Sequence, residues 1–133
     1  KVKFAVRLFD YIHSVDSKKL AKKIADEQLK INKKIKIFLQ VNIGDENQKS
    51  GINKDELNKL VSYSKEIKLD VAGLMCIPPM NFDPEVYFNQ MKELNKVYGF
   101  QELSMGMSSD FLKAAENLST FLRIGSSIFG QRN

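Results

Sequence analysis

Short apolar runs alternate with amphipathic helical segments along the whole of this 133-residue chain. In the helical segments the apolar residues recur every three or four positions, which is the period of a helix. Strands that alternate with helices predict a parallel sheet with right-handed crossovers, because each helix carries the chain back to the edge where the next strand begins. We therefore predict an α/β fold in which five parallel strands are each followed by a helix. The predicted strands cover residues 11–15, 35–43, 70–77, 102–106 and 120–124.

Capping residues set the expected helix boundaries. Asp16 or Ser17 is expected to cap one helix, and Asn53 is expected to cap the next. Asp83 followed by Pro84 supplies a cap and then a favourable first helical residue. The expected helices cover 1–9, 17–32, a segment from 53, a segment from 83 to before Gly99, 110–117 and 126–129, and their predicted apolar positions include Leu20, Ala21, Ile24, Leu29, Tyr87, Met91, Leu94 and Tyr98.

The last third of the chain contains the most informative polar turns. Two strands end in turns of small and hydroxylated residues, at 104–109 and 125–127, and a helix begins after each turn. The first N–H groups of a helix lack intrahelical partners and carry partial positive charge, so they favour a phosphate or another compact dianion. In strand–helix barrels, a phosphate often lies on the loops after the last two strands, against a short extra helix. The alternative is that Gly125 permits a tight turn and the serines are ordinary N-caps.

Composition limits the classes of function. The net charge is +5, but the lysines are spread along the chain without an arginine-rich stripe, which favours a solvated surface over nucleic-acid binding. The single cysteine, Cys76, lies in an apolar run, so it predicts a buried residue and neither a disulfide framework nor a cysteine metal site. No apolar run reaches the length of a membrane span and no signal peptide is visible. We expect a cytoplasmic protein without nucleic-acid or membrane partners.

Other polar residues are weaker candidates. His13, the only histidine, has no visible carboxylate or nucleophile partner and is predicted to be structural. Residues 45–47 lack the spacing of a calcium loop, so a solvated loop without a metal is expected. Lys49 follows a strand at the expected ligand rim and could contact a ligand through its charge or form an imine with it, although a polar loop does not supply the desolvation that a nucleophilic lysine needs. Arg123 lies in an apolar strand, where it needs a partner, either a ligand or a carboxylate such as that of Glu102.

Five stretches of the sequence resemble a known family in their order and spacing. Together they are similar to the pyridoxal-phosphate homeostasis proteins, which are single-domain barrels similar to the N-terminal domain of alanine racemase. The resemblance covers essentially all 133 residues, and its most specific part is the pair ELSMGMS and RIGSSIFG. The stretches are IHSVDS at 12–17, QVNI and KSGI within 40–52, GLMCIPP at 73–79, ELSMGMSSDF at 102–111 and RIGSSIFG at 123–130.

The resemblance implies a (β/α)8 TIM-type barrel that holds pyridoxal 5′-phosphate (PLP) at its carboxyl rim. It implies a carrier or homeostasis role in the cytoplasm, without catalytic turnover. It also implies that Ser108, Gly125 and Ser126 hold the phosphate. By the same resemblance, Arg123 faces the pyridine nitrogen and Met105 lies beside the ring. A guanidinium does not give up its proton, so the pyridine nitrogen stays unprotonated and the ring is a weaker electron sink, which suits holding the cofactor more than catalysis.

The match corresponds to the fourth to eighth strands of the family barrel, so residues 1–133 are expected to form a single partial barrel domain. No stretch matches the strand that carries the Schiff-base lysine, so covalent attachment of PLP by this chain alone is not expected. Five strands leave two sheet edges, which predicts marginal stability or self-association. The alternatives are a racemase-like PLP enzyme, which needs a lysine and a tyrosine or cysteine base, and an independent phosphate-binding module. The inward-facing side chains expected to lose partners include Phe38, Leu39, Leu74 and Met75.

Overall fold

The computed structural model describes residues 1–47 and 49–132, and it confirms the predicted alternation of strands and helices. Gln48, which falls in the loop predicted between the second strand and its helix, lies outside the described residues. The elements are α1 (Val2–Leu8), β1 (Tyr11–Val15), α2 (Lys18–Ile31), β2 (Lys36–Gln40), α3 (Lys54–Glu66), β3 (Asp70–Met75), α4 (Pro84–Val97), β4 (Glu102–Met107), α5 (Phe111–Glu116), β5 (Phe121–Arg123) and α6 (Ser126–Phe129).

The predicted caps explain where two of the helices begin. The Ser17 side chain accepts a hydrogen bond from the Leu20 N–H at 3.1 Å, and α2 begins at the next residue. Asp83 accepts a hydrogen bond from the N–H of Glu85, and α4 begins with a proline. Asn53 precedes α3 as predicted, but its side chain makes no capping hydrogen bond. None of the helices in the described residues has the length and hydropathy needed to cross a bilayer.

All five strands pair in parallel, in the order β1-β2-β3-β4-β5. Their carboxyl ends therefore lie along one rim, where the loops that lead into the next helices are grouped. The sheet is curled into a partial barrel, as predicted, with the helices packed against its outer face. One buried cluster fills the space between the sheet and the helices, and its members include Ile24 of α2, Leu60 of α3, Met91 of α4 and Ala114 of α5.

Four aromatic rings fill the concave face of the sheet. The rings of Tyr11 on β1 and Phe121 on β5 are 5.1 Å apart between centroids, although these are the two edge strands. The ring of His13 stacks on Phe38 at 4.4 Å with an interplanar angle of 20°. Since side chains of both edge strands meet over β2, the sheet must curl strongly. The partial barrel thus fills part of its own interior.

The prediction that four strand side chains would lose their partners is wrong. Phe38, Leu39 and Leu74 are fully buried, and Met75 is 5% exposed. Leu39 and Leu74 belong to the core on the helix side, because successive residues of a strand point to opposite faces. Phe38 points to the concave face, where the other aromatic rings cover it.

The buried face of α2 differs from the predicted one near the end of the helix. Leu29 is 82% exposed, whereas Gln28 is buried. The Gln28 Oε1 accepts a hydrogen bond from the backbone N–H of Ile35 at 2.7 Å, so a polar side chain ties the end of α2 to the start of β2. The apolar periodicity predicted that Leu29 would be buried. Periodicity alone cannot show that a side-chain amide such as that of Gln28 will be buried through a hydrogen bond to the backbone.

Asn95 of α4 fastens its helix to two strands. Its Oδ1 accepts from the Leu74 N–H at 3.1 Å, and its Nδ2 donates to the carbonyl oxygens of Phe100 at 3.2 Å and Glu102 at 3.0 Å. The residue is buried, so water cannot replace these bonds at low cost. This single side chain therefore fixes how α4 lies on β3 and β4.

We expect Asn95→Ala to lower the free energy of unfolding by about 2–3 kcal/mol, because buried backbone groups lose their partners. Urea denaturation followed by circular dichroism measures the change. The matched control is Asn89→Ala, an exposed asparagine on the same helix, which should stay within about 0.5 kcal/mol of the wild type. Equal effects of the two substitutions would contradict the role assigned to Asn95.

Candidate functional site

The loops that follow β4 and β5 meet at the carboxyl rim. The Ser108 Oγ accepts hydrogen bonds from the backbone N–H groups of Gly125 at 3.3 Å and Ser127 at 3.0 Å. Two N–H groups at the start of α6 therefore point at one oxygen atom. This is the arrangement that binds anions at helix N-termini and in turns of successive N–H groups.

The space beside these N–H groups is open. Gly125 has a φ of −123°, and a Cβ added to it would have no atom within 4 Å. Ser126, the first residue of α6, is exposed. A positive φ is therefore not the reason for a glycine at this position. What the glycine provides is access to the N–H groups that follow β5.

A bulge in β4 brings the end of this strand towards α6. The register of the β4–β5 ladder shifts between Ser104 and Met107, and Gly106, which lies between them, has a φ of 107°. A Cβ at Gly106 would lie 2.7 Å from the Ala114 Cβ and 2.8 Å from the Leu122 Cδ2. Glycine is required at this bulge by both its dihedral angle and its close contacts. The bulge thereby directs the β4–α5 loop to the N–H groups of α6.

Arg123 reaches across the rim from β5 to β3. Its Nη2 donates a hydrogen bond to the carbonyl oxygen of Cys76 at 2.8 Å, whereas its Nε is buried and has no hydrogen-bond partner among the described residues. Burial lowers the pKa of Arg123 from its ordinary value, against a smaller opposing effect of Cys76 and Asp110. The other partner predicted for Arg123 was the carboxylate of Glu102. The ion pairs formed by the described residues do not include an Arg123–Glu102 pair.

The side chain of Met105 does not join this group. It is fully buried and belongs to the core on the helix side of the sheet. Its neighbour Ser104 points to the concave face, where it meets His13, so the alternation of β4 sends Met105 the other way. The prediction that Met105 lies beside a bound ring receives no support from this position.

His13 lies deeper on the concave face than the rim residues. Its Nδ1 is 2.8 Å from the Oγ of Ser104, a residue 91 positions later in the sequence. Burial, and secondarily the charge of Arg123, lower the pKa of His13 from its ordinary value of 6.5. The neutral imidazole is therefore favoured over a wider pH range than in an exposed histidine. This environment agrees with the structural role predicted for His13.

Lys49 lies at the rim, as predicted, but apart from the group around Arg123. It lines an open cavity of about 370 Å³ together with Ser14, Gln40 and Met75, and its side chain is exposed. The neighbouring loop that contains residues 45–47 is solvated. The Asp45 side chain is exposed, and its carboxylate forms an ion pair with the Lys54 Nζ at 3.4 Å. The described part of the chain contains no group of three or more histidine, cysteine, aspartate or glutamate residues that could hold a metal ion.

Two groups near the site were not predicted from the sequence. They are the carbonyl oxygen of Cys76, which accepts a hydrogen bond from Arg123, and the hydroxyl of Ser104, which meets His13. Both depend on contacts between distant strands, for which the sequence offers no local signal. Ser127, by contrast, lies in the turn at 125–127 where the sequence predicts N–H groups for an anion, and its N–H is directed at the Ser108 hydroxyl.

A family model described as "Alanine racemase, N-terminal domain" matches residues 1–133. A pyridoxal phosphate homeostasis protein of Aquifex aeolicus is 38% identical over 142 residues, covering 99% of this chain and 62% of that protein. The Escherichia coli K12 protein of the same name is 31% identical over 142 residues, covering 100% of this chain and 61% of that protein. The chain thus spans less than two thirds of the length of these relatives.

Solved structures confirm the fold. PipY of Synechococcus elongatus PCC7942 with PLP bound matches 98% of this chain and 65% of its own, with a TM-score of 0.91 and 29% identity. PipY without PLP matches 98% of this chain and 66% of its own, with a TM-score of 0.86 and 30% identity. The resemblance predicted from the sequence motifs is therefore confirmed.

We expect Cys76 to resist thiol reagents as long as the chain is folded. It is fully buried, and burial raises the pKa of its thiol to about 12, with smaller effects of Arg123 and Asp110. Because the thiolate is the reactive form, labelling by an aromatic disulfide near pH 8 should be slow and limited by opening of the structure. The same raised pKa predicts that stability falls as the pH rises above the ordinary thiol pKa of 9.0.

The rate of release of the coloured thiolate measures this labelling. A parallel reaction in concentrated guanidinium chloride is the control, where labelling should be rapid and stoichiometric. Labelling in native buffer as fast as in denaturant would show that the thiol is not buried as described.

Proposed function

Since this chain belongs to the alanine racemase N-terminal domain family, we propose that its carboxyl rim binds PLP and that it serves in PLP homeostasis as a binding protein. The observation that carries the proposal is the pair of N–H groups, from Gly125 and Ser127, that converge on the single oxygen of Ser108. When bound, the cofactor supplies an aldehyde and an electron-accepting pyridine ring.

The donor set around α6 suits the phosphate of the cofactor. The N–H groups of Gly125 and Ser127 are already directed at an oxygen atom, so little rearrangement is needed to direct them at a phosphate oxygen. The hydroxyls of Ser108, after β4, and of Ser126, after β5, supply further donors. Open space beside Gly125 leaves room for the group. These features support the phosphate contacts proposed for Ser108, Gly125 and Ser126.

Arg123 suits the pyridine end of the cofactor. Its buried Nε has no partner among the described residues, and an unsatisfied buried donor is costly unless a ligand or solvent satisfies it. A guanidinium that donates to the pyridine nitrogen leaves that nitrogen unprotonated, which favours holding the ring over carbanion chemistry. Met105 is left out of the proposed contacts, because its side chain has no exposed surface.

A binding role is better supported than a catalytic one. The relatives at 38% and 31% identity are named homeostasis proteins. A racemase-like mechanism that used the thiol as a base would need it accessible, yet Cys76 is fully buried and its pKa is raised to about 12. We therefore propose retention and release of PLP, without turnover, as the function of this chain.

We also propose that residues 1–133 act as one partial barrel domain. Within the described residues, one sheet and one buried cluster link the elements from α1 to α5, which supports a cooperative unit. The outer edges of β1 and β5 have no partner strand within the described residues. Self-association through these edges therefore stays a prediction, which the elution volume of the chain at increasing concentrations would test.

We expect Gly125→Val to weaken PLP binding at least about tenfold while leaving the melting temperature unchanged. The φ of Gly125, −123°, lies outside the left-handed region that favours glycine, and an added Cβ would have no atom within 4 Å, so we expect the fold to tolerate the substitution. The side chain would however occupy the open space beside the two N–H groups, and losing one charge-assisted hydrogen bond costs about 1.5–3 kcal/mol. Equilibrium dialysis with PLP, read by its absorbance, measures the affinity.

A second pair of substitutions supplies the matched control. Ser108→Ala removes the hydroxyl that faces the N–H groups and should weaken binding, whereas Ser109→Ala changes an exposed serine of the same loop and should not. Wild-type affinity in both Gly125→Val and Ser108→Ala, with the folds intact, would overturn the proposed phosphate site.

A further inference from the structure

His13 lies one layer beneath Arg123 on the concave face. The rings of His13 and Phe121 are 5.4 Å apart between centroids, and Phe121 precedes Arg123 by two positions on β5. Alternate residues of a strand share a face, so the side chain of Arg123 projects to the same side as that of Phe121. Two positions along a strand span about 7 Å. The imidazole and the guanidinium are therefore neighbours within a partly desolvated region.

Two contacts hold the ring of His13 in one orientation. Its Nδ1 lies 2.8 Å from the hydroxyl of Ser104, which is fully buried. Its ring stacks on Phe38 at a centroid distance of 4.4 Å. The ring cannot turn without losing both the hydrogen bond and the stacking. Its position relative to Arg123 is therefore fixed by β2 and β4.

We propose that His13 is a titratable neighbour of Arg123, and that protonation of His13 weakens the binding of Arg123 to the pyridine ring of PLP. The proposal rests on the proposed function, because it concerns the same site. A neutral imidazole sets no charge against the guanidinium. A protonated one places a second positive charge near the guanidinium, in a region where screening by water is reduced. Among the described residues, the hydrogen bond from Arg123 to the Cys76 carbonyl holds the guanidinium in place against that repulsion.

No neighbouring carboxylate of the described residues faces His13 to absorb this charge. Its neighbours are Tyr11 on its own strand, Phe38 on β2, Ser104 on β4 and Arg123 on β5. None of these four neighbours is a carboxylate, and the phenylalanine and serine have no titratable group. Since burial and the charge of Arg123 hold the pKa of His13 below 6.5, the neutral form prevails above that pH. The effect on binding therefore develops as the pH falls below 6.5.

The effect is specific to the ring end of the cofactor. The N–H groups proposed for the phosphate belong to Gly125 and Ser127, in the turn after β5, and both are directed at the Ser108 hydroxyl. Arg123, whose charge acts on His13, is not among these donors. Binding of inorganic phosphate, which lacks a pyridine ring, should therefore depend little on His13.

The ionisation of His13 can be observed directly. The chain has one histidine, so its imidazole gives a single set of resonances in an NMR titration. We expect a midpoint below 6.5 in the wild type and a higher midpoint in Arg123→Met, which lacks the neighbouring charge. A midpoint at or above 6.5, or one that does not move in Arg123→Met, would overturn the coupling between the two residues.

Binding measurements test the consequence. Dissociation constants for PLP are compared between the wild type and His13→Phe at about pH 7.5 and about pH 5.5. We expect similar affinities at the higher pH, and about fivefold weaker binding by the wild type than by the variant at the lower pH. Since PLP titrates identically in both experiments, its own ionisation cancels in the ratio of the wild-type dissociation constant to that of the variant. The ratio for inorganic phosphate should stay near one at both pH values.

His13→Phe leaves the buried Ser104 hydroxyl without its hydrogen-bond partner, which could destabilise the fold. A second variant controls for this effect. The double variant His13→Phe with Ser104→Ala removes that hydroxyl and should show the same pH profile as the single variant. Identical pH profiles of wild type and variants, with PLP binding intact, would overturn this inference alone. A wild type that binds no PLP at any pH would overturn the proposed function as well.

Discussion

The contact between Tyr11 and Phe121 shows how strongly the sheet must curl. These residues belong to the two edge strands, yet their ring centroids are 5.1 Å apart. A sheet of five parallel strands can bring its edges this close only by bending around the side chains on one face. The aromatic rings thus pack together in the interior of the curled sheet, and their size sets its curvature. That curvature in turn decides which groups of the rim can reach one another.

The candidate site is a consequence of this curvature and of a single bulge. Arg123 of β5 reaches the carbonyl oxygen of Cys76, which follows β3, across the intervening strand. Gly106 lets β4 bulge beside α5, which directs Ser108 to the N–H groups at the start of α6. One rim therefore carries a guanidinium at one point and paired N–H groups at another. Such a pair of charges and donors suits a ligand with an aromatic ring and a dianionic group.

The sequence predicted what depends on local patterns. It predicted the five strands, the cap at Asp83 and, as one of two alternatives, the cap at Ser17, because each of these follows from a few adjacent residues. It did not predict that Gln28 would be buried in place of a neighbouring leucine, or that Asn95 would tie its helix to two strands. Those side chains bond backbone groups whose position depends on the packing of other elements. His13 is the extreme case, since its partner lies 91 positions away.

The most direct test is a crystal structure of this chain grown with PLP. We predict phosphate oxygens within hydrogen-bond distance of the N–H groups of Gly125 and Ser127, and the pyridine nitrogen facing the guanidinium of Arg123. We also predict that the Ser108 hydroxyl remains beside the phosphate. A cofactor bound elsewhere on the chain, with those N–H groups still directed only at Ser108, would contradict the central claim.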